Sequence, residues 1–174
     1  WKRWTLGKYD FPIGKGLYPD MDDIRKDEAV SPIHSVYVDQ WDWEKIISEE
    51  QKSLDFLKKV VKNIYSALKK TEEIIKIELN LDKRLPEDIY FIHTQRLEEL
   101  YPKLTPKERE HEITKKYKAV FLIGIGHPLK SGKPHDLRAA DYDDWSTETK
   151  EGIGLNGDIL VWESIRKKSL ELSS

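Results

Sequence analysis

The stretch "AVFLIGI", Ala119 to Ile125, holds no polar side chain. A strand sends successive side chains to opposite faces, so a strand this apolar needs cover on both. No other stretch constrains the fold as much. It reads as a central strand with one layer of structure above the sheet and another below. A candidate for one layer lies upstream. Leu54, Leu57, Val61, Ile64, Leu68 and Ile75 recur at three, four, three, four and seven, placing them on one side of a long helix whose other side is Lys and Glu. Ser48 is positioned to cap that helix.

The remaining elements follow from similar signals. "DIYFIHTQ" alternates and predicts a strand over Ile89 to His93, followed by a short helix over Arg96 to Tyr101. "TPKE" forms a capping box, with Thr105 at the cap, Pro106 in the first turn and Glu108 reaching back; its helix ends near Lys116. "GDILVWES", Gly157 to Ser164, is another strand. The first 32 residues mix aromatics with Gly and Pro and read as loops and short strand pieces. A strand from Ile33 to about Glu44 comes next. A long polar loop spans Gly126 to Asn156. Loops of that length in a compact domain are functional or disordered as a rule, and Tyr142 and Trp145 argue for order. Helices separate most strands, so the class is mixed α and β in a single domain.

Composition closes off several function classes. The formal net charge is −2, which offers no basic surplus for nucleic acid. There is no cysteine, so disulfides and thiolate metal sites are excluded and a reducing, cytoplasmic setting is expected. No run approaches the ~20 apolar residues of a membrane span.

Among candidate sites, "GIGHPL", Gly124 to Leu129, follows a strand but fails as a dinucleotide fingerprint. Pro128 stands where a helix should start, and the third glycine is absent. His127, His135, Asp136 and Asp141 lie in one irregular loop without the spacing of a zinc site. Acids offer more. Asp141, Asp143 and Asp144 cluster beside Arg138, Asp158 opens a strand, and Glu171 sits in "ELSS". These read either as solvated charge or as a divalent-metal site; magnesium asks for one or two carboxylates plus phosphate oxygens, which a strand-borne pair such as Asp158 and Glu171 would suit. Arg25 offers the rigid fork that matches phosphate, or else a surface ion pair with Asp22, Asp27 or Glu28. Lys2 is one of many lysines.

"HSVYVDQWDWE", His34 to Glu44, raises a separate question. Its alternation puts Trp41 and Trp43 on one face and Gln40, Asp42 and Glu44 on the other. Solvated strand faces carry Lys, Thr or Ser more often than a row of acid and amide.

The blocks "WKRWTLGKYDF", "GLYPDMDDIRKDE", "SPIHSVYVDQWDWE", "KAVFLIGIG", "HDLRAADYDDWS" and "GLNGDILVW" through "ELSS" together resemble the aspartate–ammonia ligases, the ammonia-dependent asparagine synthetases of the A type. The resemblance covers essentially the whole chain, in family order. It implies an α+β fold: an antiparallel sheet flanked by helices, like the catalytic core of class II aminoacyl-tRNA synthetases. It also implies that the chain is the central part of that domain. Family segments before Trp1 (a dimer-forming helix and strand) and after Ser174 (a glycine-rich segment with an ATP-gripping arginine) are not in it. A homodimer is therefore expected of the full-length protein, and this piece alone is expected to be neither active nor a well-behaved monomer.

The same resemblance assigns roles. Gln40 and Asp42 would hold the substrate's ammonium and polar groups on an active-site floor, with Trp41 and Trp43 turned into packing. Lys2 would pair with the side-chain carboxylate of aspartate. Arg25 would neutralise the α-phosphate of ATP, and Glu28 would touch the adenine amine. Asp143 would be an active-site acid, Asp158 and Glu171 would lie near magnesium and the phosphates, and Ser174 at the edge of the ATP site. The implied reaction joins aspartate and ammonia through β-aspartyl-AMP. Alternatives within reach of the same residues are an aspartyl-tRNA synthetase-like core and a nucleotide-binding fragment without turnover.

Overall fold

The computed structural model describes residues 1–26, 29–32, 34–137 and 143–173. Glu28, Arg138, Asp141, Tyr142 and Ser174 therefore lie outside the described residues. The chain divides into two compact units, residues 1–52 and 53–174.

The first unit begins with α1 (Lys2–Lys8), whose Leu6 is buried. Two small antiparallel ribbons follow. β1 (Gly16–Leu17) pairs with β4 (Glu44–Lys45), and β2 (Asp20–Ile24) pairs with β3 (Tyr37–Trp41). The expected single strand to Glu44 is thus broken. Asp42 and Trp43 form a corner, where Asp42 N–H donates to the Pro19 carbonyl at 3.2 Å, and the chain changes ribbon at Glu44. Ser48 does not cap the long helix. It closes its own capping box with Gln51 around a single 3-10 turn, Glu49–Gln51. Ser53, five residues on, takes the helix cap instead, accepting from Phe56 N–H at 3.3 Å.

The second unit is a four-stranded sheet in the order β5 (Tyr90–His93), β6 (Ala119–Ile123), β7 (Gly157–Glu163), β8 (Lys168–Ser173). β6 is interior and all five of its residues are buried. Its two faces find different cover, as the apolar run demands. Ala119, Phe121 and Ile123, with Ile159 and Val161 of β7, meet Val61 and Tyr65 of α2 (Leu54–Leu79). Val120, Leu122 and Leu160 meet Leu97 of α3 (Thr94–Leu100) and Ile113 of α4 (Pro106–Tyr117). The α2 stripe packs from Leu54 to Leu68 and stops there: Ile75 is 43% exposed, because the helix outruns the sheet. Tyr65, buried on that stripe, donates to the Pro86 carbonyl at 2.7 Å, and burial pushes its phenol well above the usual tyrosine range.

The class is mixed α+β, with four α-helices among the described residues. Antiparallel pairing holds for β6–β7 and β7–β8, but β5 and β6 run parallel. The cause is the connection. Two helices, α3 and α4, carry the chain back across the sheet, so β6 enters in the same direction as β5. Thr105 caps α4 through the expected box, accepting from Glu108 N–H at 3.4 Å while Glu108 accepts from Thr105 N–H at 2.8 Å. Among the described residues no helix is long and apolar enough to cross a membrane.

Candidate functional site

The β2–β3 ribbon sorts the candidate residues of the first unit. Its register sets Met21 opposite Gln40 and Asp23 opposite Val38, and the next bond runs from Arg25 N–H to the Val36 carbonyl at 2.7 Å. By the period of two, Met21, Asp23, Arg25, Val38 and Gln40 share one face. Arg25 reaches Asp23, its Nε 3.9 Å from the carboxylate. Past the corner, Asp42 and Glu44 both receive the ammonium of Lys2, which projects from α1; the Lys2–Glu44 contact is 3.0 Å. Lys2 is 7% exposed, deep for a lysine. Burial pulls its pKa down, but hydrogen bonds to and charges on Asp42 and Glu44 outweigh that and leave it above the ordinary lysine value. The sign of the pH dependence follows. The ion pairs stabilise the fold below the unfolded lysine pKa and are lost as pH rises through the higher folded one. Lys2→Met should therefore weaken the loss of stability expected of the parent at pH above the ordinary lysine value, measured by circular dichroism against pH.

The aromatic face is the reverse of the expected one. Trp41 is 74% exposed and Trp43 50%, while Gln40, Asp42 and Glu44 are half-buried. Alternation groups residues by face but does not say which face is covered, and here α1 and Lys2 sit over the polar row. Trp41→Ala in the 174-residue chain should accordingly change stability by less than ~0.5 kcal/mol, as for other surface substitutions. A loss of ~3–5 kcal/mol in urea unfolding, the cost of emptying a buried tryptophan site, would contradict this placement.

In the second unit, β7 and β8 bring the two candidate metal carboxylates to one side. Asp158 pairs with Leu122, and Leu160 pairs with Glu171, so all four residues share the face under α4. Asp158 is 2% exposed, a buried carboxylate beside the apolar run Ile159–Val161 of β7. At the start of α4, Lys107 lies 3.1 Å from Glu110 and 3.5 Å from Asp136. Burial opposes its charge, yet the carboxylates of Glu110, Asp136 and Glu171 together raise its pKa. His135, fully buried, contacts Glu110 through Nε2 at 3.0 Å, and His127 contacts the Trp145 carbonyl at 3.0 Å. Among the described residues no three acidic or imidazole groups gather as a metal cage.

The long loop is ordered through its described part. Asp144 accepts from Ser146 N–H at 3.0 Å and Thr147 N–H at 3.1 Å, which holds the turn beside Asp143. Glu148 and Ile153 form a bridge, and Leu155 N–H returns to the Asp144 carbonyl at 3.2 Å. No helix follows β6 at "GIGHPL". Gly124 turns with φ +72° and its N–H donates to the Asn156 carbonyl, while Asn156 Oδ1 accepts from Ile125 N–H. Sequence reading missed Asn156 and His93, both buried at this junction. The available signal was their setting: Asn156 follows two glycines in "GIGLN", and His93 stands just before a helix start.

Comparison with known proteins agrees with these blocks. The family model described as aspartate-ammonia ligase matches residues 1–174. The aspartate–ammonia ligase of Parabacteroides distasonis is 51% identical over 176 aligned positions, covering 100% of this chain and 51% of its own length. That of Malacoplasma penetrans is 53% identical over 176 positions, covering 100% of this chain and 52% of its own length. The chain thus spans about half the length of the relatives it matches, and it belongs to the aspartate–ammonia ligase family.

Proposed function

We propose that the protein to which this chain corresponds makes asparagine from aspartate, ATP and ammonia in the cytoplasm, as a homodimer with a class II synthetase-like core. The observation that carries the reading is the ribbon face. Arg25 and Gln40 share one side of it, and the Lys2–Asp42 pair closes its end. A fork-shaped cation for phosphate and a paired cation and anion for an amino acid are what joining these two substrates requires. The relatives' name, with aspartate and ammonia in it, supports the same assignment.

In the first step a side-chain oxygen of aspartate attacks the α-phosphorus of ATP. The bond from that phosphorus to the bridging oxygen breaks, and pyrophosphate leaves. Arg25 offsets the charge that builds on the α-phosphoryl oxygens. Lys2 orients the attacking carboxylate, and Gln40 and Asp42 hold the α-amino end. Glu28 and Ser174 complete the ATP site at the adenine amine and its edge. In the second step ammonia attacks the acyl carbon, the acyl C–O bond breaks, and AMP leaves. Ammonium loses a proton before attack, and Asp143 is the carboxylate base that takes it; the tetrahedral adduct gives up its second proton to solvent as AMP leaves. Asp158 and Glu171 fit magnesium, being two hard oxygen donors on one sheet face. Bound there, magnesium would neutralise phosphate charge.

Full-length protein given aspartate, ATP and ammonia should release AMP and pyrophosphate with asparagine. Formation of ADP and phosphate would rule out attack at the α-phosphorus. Gln40→Ala and Asp42→Ala should each raise the aspartate KM about tenfold or more, the scale of losing a hydrogen bond to a charged group, while the ATP KM moves little. Equal effects on both substrates would place these two residues elsewhere.

A further inference from the structure

His93, the last residue of β5, is buried and bonded through both ring nitrogens. Nδ1 accepts from Gln95 N–H at 3.0 Å and so caps α3. An accepting Nδ1 leaves the proton on Nε2, which donates to the Ile153 carbonyl at 3.2 Å. The ring occupies space that two glycines leave open. A Cβ on Gly152 would lie 2.3 Å from Cε1, and one on Gly124 would lie 2.3 Å from Nε2. Next along the chain, Thr94 Oγ1 donates to the Gly124 carbonyl at 2.6 Å. Ile153 belongs to the bridged turn whose return strand bonds Thr147 through Gly154 N–H at 2.9 Å and Asp144 through Leu155 N–H.

We propose that His93 is a positioning residue: its Nε2–H pins the turn at Ile153 to the carboxyl ends of β5 and β6 and thereby sets Asp144 and the neighbouring Asp143. The catalytic meaning of that placement rests on the reading of Asp143 given above; the pin itself does not. Burial lowers the His93 pKa, the Ile153 bond and Glu151 oppose this, His127 adds to it, and the net value lies below the ordinary histidine range. The ring is neutral at neutral pH. Protonation would set an Nδ1–H against Gln95 N–H, two donors facing each other, so the arrangement is lost as pH falls through that lowered pKa.

Two variants separate the pin from the helix cap. His93→Asn keeps an acceptor near Gln95 N–H but cannot reach Ile153. His93→Gln carries an amide donor out to the Nε2 position and gives up the cap. Amide hydrogen exchange in the full-length protein is the measurement, corrected for intrinsic rates. His93→Asn should speed exchange at Gly154 and Leu155 about tenfold or more, and His93→Gln should stay within roughly twofold of the parent there. In the parent, protection of these two amides should fall at pH below the usual histidine range, and the glutamine variant should lack that fall. Parent-like exchange in His93→Asn, or imidazole nitrogen shifts showing the proton on Nδ1, would overturn the proposal. Neither readout needs turnover, so the pin can fail while the ligase reading stands, and the reverse.

Discussion

Replacing Arg25 with alanine in the full-length protein is expected to cut turnover by about a hundredfold or more, the scale of losing one donor aimed at developing charge. The residue is suited to that task by where the ribbon puts it. Its backbone N–H ends the β2–β3 ladder at Val36, and its side chain shares the face of Gln40. Its Nε lies 3.9 Å from the Asp23 carboxylate, the far limit of an ion pair. Arg25→Lys should recover only part of the rate, since an ammonium cannot make the paired contact of a guanidinium. Steady-state rates at saturating aspartate and ammonia decide the matter. Turnover at the parent level in Arg25→Ala would reduce the residue to a surface ion-pair partner.

The second large effect concerns stability. Leu122 is fully buried in β6, packed with Leu97, Ile113 and Leu160 on the α3–α4 face. Leu122→Ala should cost about 2–5 kcal/mol, the removed methyl groups plus the cavity that close packing cannot refill. Thermal unfolding of the second unit should then move down by roughly 10 °C or more. Leu122 also faces Asp158 across the ladder. A cavity there removes the wall beside the buried carboxylate, so this variant should lose activity in the full-length protein along with stability. A melting point within a degree or two of the parent would mean the cluster is looser than its burial implies.

Several parts of this structure were legible in the residues. A seven-residue apolar run could only be an interior strand, and β6 is one, although it ends at Ile123 where Gly124 takes a positive φ. The box at Thr105 and Glu108 marked a helix start to the residue, because two side chains and two backbone donors have to agree there. The stripe through Leu68 marked the layer of α2. What stayed hidden depended on partners distant in sequence. Nothing in "YFIH" distinguishes a parallel neighbour from an antiparallel one, as the same alternation serves both. Ser48 was given the cap of α2, but it is taken up in its own box with Gln51, and Ser53 holds the helix cap instead. The tryptophan face was misjudged because large aromatics are so often buried that the acidic row looked like the open side.

For the candidate site the divide is similar. Lys2 and Asp42 stand forty positions apart, and local pattern joins them to nothing; the family resemblance named both, and the structure pairs them. Asp158 looked like the polar opening of a strand, and only its partner Leu122 shows that it lies inside. His93 was read simply as a strand end, since its two bonds run to a neighbour's backbone and to a loop sixty residues later.

The order of pairing around β6 bears on how the chain is made. β5 and the helices that return from it precede β6, but β7, its other neighbour, follows only after residues 124–156. On a ribosome adding about 5–20 residues per second, β6 waits roughly 2–7 seconds with one edge open. During that interval α2 and α4 can already shelter both of its faces, leaving the bare backbone edge as the vulnerable part. Any slowing of synthesis between the emergence of β6 and that of β7 would lengthen this exposure.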